Sequence, residues 1–188
     1  MNVRVSGGTH KGRRLRAVKG ADLRPTSEKV RAAIFSIIGS ETLKNARILD
    51  LYAGTGIFGI ESLSRGAAWA EFVEMSARRC RQLRDNLCAL SLAKQGHVCQ
   101  ARVEKAVGNL SGAYNLVFAD PPYDAEMASW LMDRLGRGDL IEKTGLVVME
   151  CRSGTPMARN YGILSELKNR RYGDTSILIY GVGRVSYG

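Results

Sequence analysis

The run Ile48-Leu49-Asp50-Leu51-Tyr52-Ala53-Gly54-Thr55-Gly56-Ile57-Phe58-Gly59 changes character twice within twelve residues. Its first five positions are apolar but for one carboxylate, the pattern of a strand covered on both faces, and glycines 54, 56 and 59 then open a helical segment. Strand, glycine turn and helix in that order satisfy the G-x-G-x-x-G pattern in the context that gives it meaning. Residues without Cβ let the backbone turn tightly against a ligand, and the free N–H groups of the helix start attract an anion. Pyrophosphate or the carboxylate of a methionyl group both answer that description. A tight turn that holds no ligand is the purely structural alternative.

Asp50 separates the two anions. A carboxylate at the end of the first strand repels a pyrophosphate but accepts from a methionyl ammonium, directly or through water, which favours S-adenosylmethionine over NAD. Glu74, 20 residues beyond Gly54 at the end of the next strand, stands where an acidic side chain accepts from both ribose hydroxyls. For Asp50 a role like that of a helix N-cap stays open, and for Glu74 a solvated strand end does.

Outward from this loop, short apolar runs alternate with helical segments, the mark of an α/β domain built on a largely parallel sheet. The pattern predicts strands over 48–52, 70–74, 97–101, 115–120, 146–150, 163–167 and 176–181, and helices over 57–65, 77–92, 104–109 and 125–135. Only residues 168–174 separate the last two strands, too few for a crossover, so these two form an antiparallel hairpin. No internal repeat or low-complexity linker interrupts the chain.

At the carboxyl end of the fourth strand stands Asp120-Pro121-Pro122-Tyr123. Ligands of doubly wound sheets bind at that edge. Two prolines fix φ, lack N–H donors and hold a stiff turn whose carbonyl oxygens are ready to accept. With the Asp120 carboxylate and the Pro121 carbonyl accepting its two hydrogens, an exocyclic amine is pulled toward tetrahedral geometry and its lone pair is freed to attack a sulfonium methyl. Asp120 is also placed to take the released proton. Tyr123 supplies a flat face for a flipped or unpaired base. A rigid surface turn with the tyrosine as packing is the alternative.

The chain has 188 residues and a net charge of +10, which favours anionic partners. Nine Lys or Arg against Asp22 and Glu28 give residues 1–40 a charge of +7, leaving +3 for the other 148. Residues 3–6 and 13–18 alternate in polarity around Gly7-Gly8-Thr9-His10-Lys11-Gly12 and read as a basic hairpin. After Pro25, a helix capped by Thr26 or Ser27 places Val30, Ala33, Ile34, Ile37 and Ile38 on one face and ends at Gly39. We therefore divide the chain into a basic extension over 1–40, with Arg13, Arg14 and Arg24 as RNA contacts, and a methyltransferase domain over 41–188. Cys80, Cys88, Cys99 and Cys151 form no C-x-x-C pair and, with only His10 and His97 to assist, read as buried or half-buried reduced thiols; no metal site is expected. No apolar stretch reaches membrane-spanning length, and a soluble, cytoplasmic protein is expected.

D-L-Y-A-G-T-G joined to D-P-P-Y resembles the amino-methyltransferase branch of the S-adenosylmethionine enzymes. Residues 7–15 (G-G-T-H-K-G-R-R-L), 24–38 (R-P-T-S-E-K-V-R-A-A-I-F-S-I-I), 60–67 (I-E-S-L-S-R-G-A) and 171–175 (R-Y-G-D-T) extend the likeness to the RsmD family, which methylates N2 of a guanine in small-subunit ribosomal RNA. The resemblance implies a Rossmann-like fold with a seven-stranded, mostly parallel sheet, a monomeric enzyme, and a pre-assembled RNA–protein particle as substrate. It places Asp50, Gly54, Gly56 and Glu74, with Tyr52 and Ala53 of the same loop, at the cofactor, and Asp120, Pro121, Pro122 and Tyr123 at the amine. One departure stands out: after the third strand such enzymes often carry an acidic or amide residue near the adenine, where this chain reads Gln100-Ala101-Arg102-Val103. Rival readings are a DNA adenine or cytosine amino-methyltransferase, which would want a separate recognition domain, a protein glutamine methyltransferase, which would carry Asn at position 120, and a silent RNA-binding module.

Overall fold

Strands that are apolar on both faces need helices on both faces, and the computed structural model, which describes residues 3–17, 27–122 and 125–183, has that three-layer arrangement. A short antiparallel ribbon, β1 (Val3–Arg4) with β2 (Arg14–Leu15), precedes α1 (Glu28–Ile38). The main sheet takes β3 (Arg47–Leu51), β4 (Trp69–Glu74), β5 (Gly96–Gln100), β6 (Tyr114–Ala119), β7 (Ile141–Arg152), β8 (Asn160–Tyr161), β9 (Leu164–Tyr172) and β10 (Thr175–Val182), in the spatial order β5-β4-β3-β6-β7-β10-β9-β8. The first five of that order are parallel; β10, antiparallel to β7 and β9, closes the expected hairpin. The helices α2 (Ile57–Ser64), α3 (Ala77–Ala89), α4 (Val103–Ala106) and α5 (Ala125–Leu135) alternate with the parallel strands.

Two apolar clusters lie on the two sides of the sheet. One gathers Ile48, Phe72, Phe118, Val148, Ile177 and Ile179 under α1, α2 and α3; the other gathers Leu49, Val73, Val117, Val147 and Leu178 under α4 and α5. The N-terminal ribbon and α1 contribute Val3, Val5, Leu15, Ile34, Phe35 and Ile38 to the first cluster. Ser27 caps α1, its hydroxyl accepting from Val30 N. Thr26, the other candidate cap, lies outside the described residues.

The elements differ from expectation where pairing rather than pattern decides. Seven predicted strands are present, joined by an eighth, β8, a two-residue strand made by pairing with Leu164 and Ser165 across Gly162, which has φ +55°. β9 runs on to Tyr172 through Lys168, Asn169, Arg170 and Arg171 because β10 supplies its ladder, whatever the polarity of its side chains. α4 is a single turn beginning at Val103. Cys88 is exposed on α3, a correction to its reading as a buried or half-buried thiol; Cys80 and Cys151 are buried and Cys99 is half-buried. Among the described residues no helix is long and apolar enough to cross a membrane.

Candidate active site

The carboxyl ends of β3, β4, β6 and β7 each close on an acidic residue: Asp50, Glu74, Asp120 and Glu150. Parallel register brings these ends to one rim, and a cavity of about 430 Å³ opens there. Tyr52 and Glu74 line it on the side of the glycine turn, Asp120, Pro121 and Pro122 on the side of the proline turn, and Met75, Arg79, Glu104 and Met127 complete the wall. The two turns therefore share one pocket. Tyr123 lies outside the described residues, as does Arg24.

The glycine turn is held by its own carboxylates. Gly54 N and Ser76 N donate to the two oxygens of Glu74 at 3.0 and 2.8 Å, and Arg79 stands 3.8 Å from it. Glu74 is buried, so the solvated reading of this strand end is set aside. Asp50 Oδ2 accepts from Gly59 N, in the first turn of α2, at 2.9 Å: the capping role left open for it is realised. Gly54 and Gly56 have φ of +54° and +73°, the left-handed region in which glycine carries no steric penalty. A Cβ on Gly59 would come within 2.2 Å of the Phe72 ring, so the third glycine lets α2 lie close on the sheet. Ala53, with its N–H on Val73 O, is buried in the core rather than lining the cavity; Asp50, Gly54 and Gly56 also stand behind the wall.

Two of these carboxyls, Asp50 and Asp120, resist ionisation. Burial pushes Asp50 up to about 8 against the opposing Gly59 N–H, with Asp120 and Glu74 adding to the rise. Asp120 is pushed up to about 7, by burial first and by Glu150 second. Tyr52 adopts φ +58°, uncommon for a residue with a side chain, and its buried hydroxyl lacks a hydrogen-bond partner among the described residues. Burial, and Glu104 after it, push that phenol up to about 12. Arg79 and Arg102 stand in the wall beside Glu74 and Glu104, and the Tyr52 hydroxyl offers a further polar partner, so a cationic nucleoside with amino-acid functions fits the carboxylates of such a site.

Sequence reasoning missed Glu104 and Glu150. The first stands one position past the tetrapeptide that seemed to lack an acid: β5 stops at Gln100, and Glu104 in the first turn of α4 faces the cavity. The second repeats the signal of Asp50, Glu74 and Asp120, a carboxylate where a parallel strand ends. Arg13 and Arg14 are far from this rim. The hairpin tip binds the carboxyl ends of α2 and α3, through Thr9 N to Ser64 O at 2.8 Å and Arg13 Nη2 to Ala89 O at 3.3 Å, at the sheet edge opposite the cavity.

Fold and cavity together define an α/β protein of the Rossmann-like methyltransferase class. A family profile described as "Conserved hypothetical protein 95" matches residues 3–181. "Putative rRNA methyltransferase YlbH" of Bacillus subtilis is 33% identical over 95% of this chain and 98% of its own length. "Ribosomal RNA small subunit methyltransferase D" of Escherichia coli is 35% identical over 64% of this chain and 60% of its own length. A solved structure, "Putative methyltransferase yhhF from Escherichia coli", superposes with a TM-score of 0.86 at 25% identity, covering 97% of this chain and 98% of that one. The chain belongs to this family, the RsmD methyltransferases.

Proposed function

We propose that this chain transfers a methyl group from S-adenosylmethionine to the exocyclic N2 amine of a guanine in small-subunit ribosomal RNA, acting as a cytoplasmic monomer on an assembling subunit. The observation that carries the reading is the shared cavity: Glu74 beside the glycine turn and Asp120 of the proline turn face one space, where their negative charges repel, with Asp50 buried behind the wall. A positively charged sulfonium cofactor with an ammonium group relieves that repulsion, whereas the pyrophosphate of a dinucleotide would add to it. The cofactor's contribution when bound is an electrophilic methyl on sulfur.

The protein's part is to hold and orient. Asp50 is the partner for the ammonium, Glu74 for the ribose hydroxyls, and Tyr52, Ala53, Gly54 and Gly56 shape the turn around them. Glu104 is the acidic group for the adenine end. The Asp120 carboxylate and the Pro121 carbonyl accept the two N2 hydrogens, Pro122 keeps the turn stiff, and Tyr123 stacks on the base. Asp120 then takes the proton that the methylated amine sheds. In-line placement of the two partners in one pocket is the largest contribution. The basic extension over 1–40, with Arg13, Arg14 and Arg24, holds RNA phosphates in this reading. The names of the relatives support ribosomal RNA as substrate, and the paired acceptors of Asp120 and Pro121 support an amine as the methylated group.

Mass-spectrometric mapping of methylated nucleosides in ribosomal RNA, from cells with and without the protein, tests base, position and substrate together. One N2-methylguanine in the small-subunit RNA disappears without the protein and returns with the wild-type gene but not with Asp120→Ala. An unchanged methylation map removes the proposal.

A further inference from the structure

The chain's positive charge has a second centre. Residues 151–173 hold Arg152, Arg159, Lys168, Arg170 and Arg171 against Glu166, a charge of +4, while residues 41–150 sum to −1. Register places this charge beside the site. Continuing the β6–β7 pairing one step beyond Ala119 and Met149 aligns Asp120 with Glu150, which pairs with Ile177, which pairs with Arg170. Three strand spacings of about 4.8 Å separate Arg170 from Asp120 along that row, roughly 14 Å. Arg152 and Lys168 lie on rows of the same face, with Val148, Ile177 and Ile179, the side that α1 covers.

This ground is also pre-organised. Ser153 N donates to Asp174 O at 2.8 Å and Ser153 Oγ to Gly173 O at 3.0 Å, pinning the β9–β10 turn to the end of β7. Arg171 is occupied in bracing that turn, its Nε on Gly173 O at 2.9 Å. Arg152 and Arg170 are exposed, and neither they nor Lys168 form an ion pair with a carboxylate among the described residues. Beyond Ser165 the outer edge of β9 has no partner strand among the described residues. The N-terminal hairpin tip, by contrast, is on the far side of α3, a helix about 20 Å long.

We propose that Arg152, Lys168 and Arg170 form a second RNA-contact surface, on the catalytic rim, that grips phosphates of the strand flanking the target nucleotide. This rests on the ribosomal RNA reading given above. The occupant is single-stranded RNA because the span from Asp120 matches a flanking stretch of the same strand and the surface offers cations and open backbone N–H groups, both suited to phosphate oxygens.

The test combines Arg152→Gln, Lys168→Gln and Arg170→Gln. Binding is measured against salt with an unmodified small-subunit ribosomal RNA transcript and, in parallel, with small-subunit particles from cells lacking the protein. At about 0.7 per single-strand phosphate, three lost contacts flatten the slope of log affinity against log salt by about two. Affinity falls about tenfold or more at 0.1 M salt while S-adenosylmethionine binding is unchanged, and the corresponding double Arg→Lys variant at 152 and 170 keeps the slope. Unchanged affinity and slope in a triple variant that still binds cofactor overturn the inference. If that variant also self-associates, the cations instead guard the open edge of β9. A wild-type protein without salt-dependent RNA binding would sink the ribosomal RNA reading itself, an outcome distinct from failure of this surface alone.

Discussion

Asp50 and Asp120 are aspartates of ordinary type in extraordinary surroundings, and their raised pKa values carry separate consequences. In the proposed reaction Asp120 would accept only when ionised, so kcat/KM is expected to rise with pH along a limb centred near 7. Asp120→Ala removes that limb and lowers transfer by about 10²–10⁴-fold. Its S-adenosylmethionine affinity, read by isothermal titration, stays close to wild type because the carboxylate touches the acceptor side of the pocket. Asp50, pushed up to about 8, holds a proton at neutral pH that an ammonium partner must displace. Cofactor affinity therefore increases as pH rises toward 8, and titrations in buffers of different ionisation enthalpy register proton release; buffer-independent heats would remove Asp50 from the ammonium site. The sign for stability is opposite. The folded protein binds a proton here that the unfolded chain has lost, so ligand-free stability falls as pH rises from about 4 to about 8. Asp50→Asn, which can still accept from Gly59 N, removes the part of that fall between about pH 7 and 8 in urea titrations, leaves the part that Asp120 contributes up to about 7, and weakens cofactor binding.

Among the elements, α2 has two jobs. Its first turn meets the glycine loop, and its middle carries Glu61, fully buried, which accepts from Arg31 Nε at 2.8 Å, from Arg65 Nη2 at 2.7 Å and from Ser6 N at 3.1 Å. Arg31, itself buried, extends to the carbonyl of Arg4. The network thus ties α1, the N-terminal ribbon and α2 to one carboxylate. Burial pushes Glu61 up, but the bonds from Ser6, Arg31 and Arg65 outweigh it and hold the group below its usual range. Its contribution is present above about pH 4.5 and is lost on acidification below that. Glu61→Ala strands a buried guanidinium and costs about 3–5 kcal/mol in urea unfolding. A cost under about 1 kcal/mol would mean that Arg31 finds another partner. None of this was legible beforehand: Glu61 and Arg31 lie thirty residues apart, and in sequence each looks like a solvated helix charge. Most strands with an apolar pattern were legible within a residue or two, but β7 begins at Ile141, five residues before its expected start, where Tyr114 of β6 pairs with it, and the polar half of β9 took its form from β10.

In the whole molecule the described residues of the basic extension pack on the core. Phe35 of α1 packs 5.7 Å from Phe118 of β6 and 6.4 Å from Phe58 of α2, and five other apolar side chains of residues 3–38 join the same cluster. At about 1.5–3 kcal/mol for each large side chain removed from water, this contact is comparable with the roughly 5–15 kcal/mol net stability of a domain. Deletion of residues 1–40 is expected to abolish the cooperative thermal transition and to produce aggregates in size-exclusion chromatography. A truncated protein that melts cooperatively and binds S-adenosylmethionine would show the cluster to be dispensable. The sequence by itself determined the parallel core, the glycine turn, the proline turn and S-adenosylmethionine as the cofactor, because these depend on local period, turn residues and strand ends. Only the tertiary structure decided that Glu104 joins the pocket and Glu150 stands behind Asp120, that Asp50 caps α2, and that the hairpin tip and the β9 cations stand at opposite edges. Those facts depend on which strand lies beside which and on where each helix ends, and burial and long-range pairing, not neighbouring residues, set both.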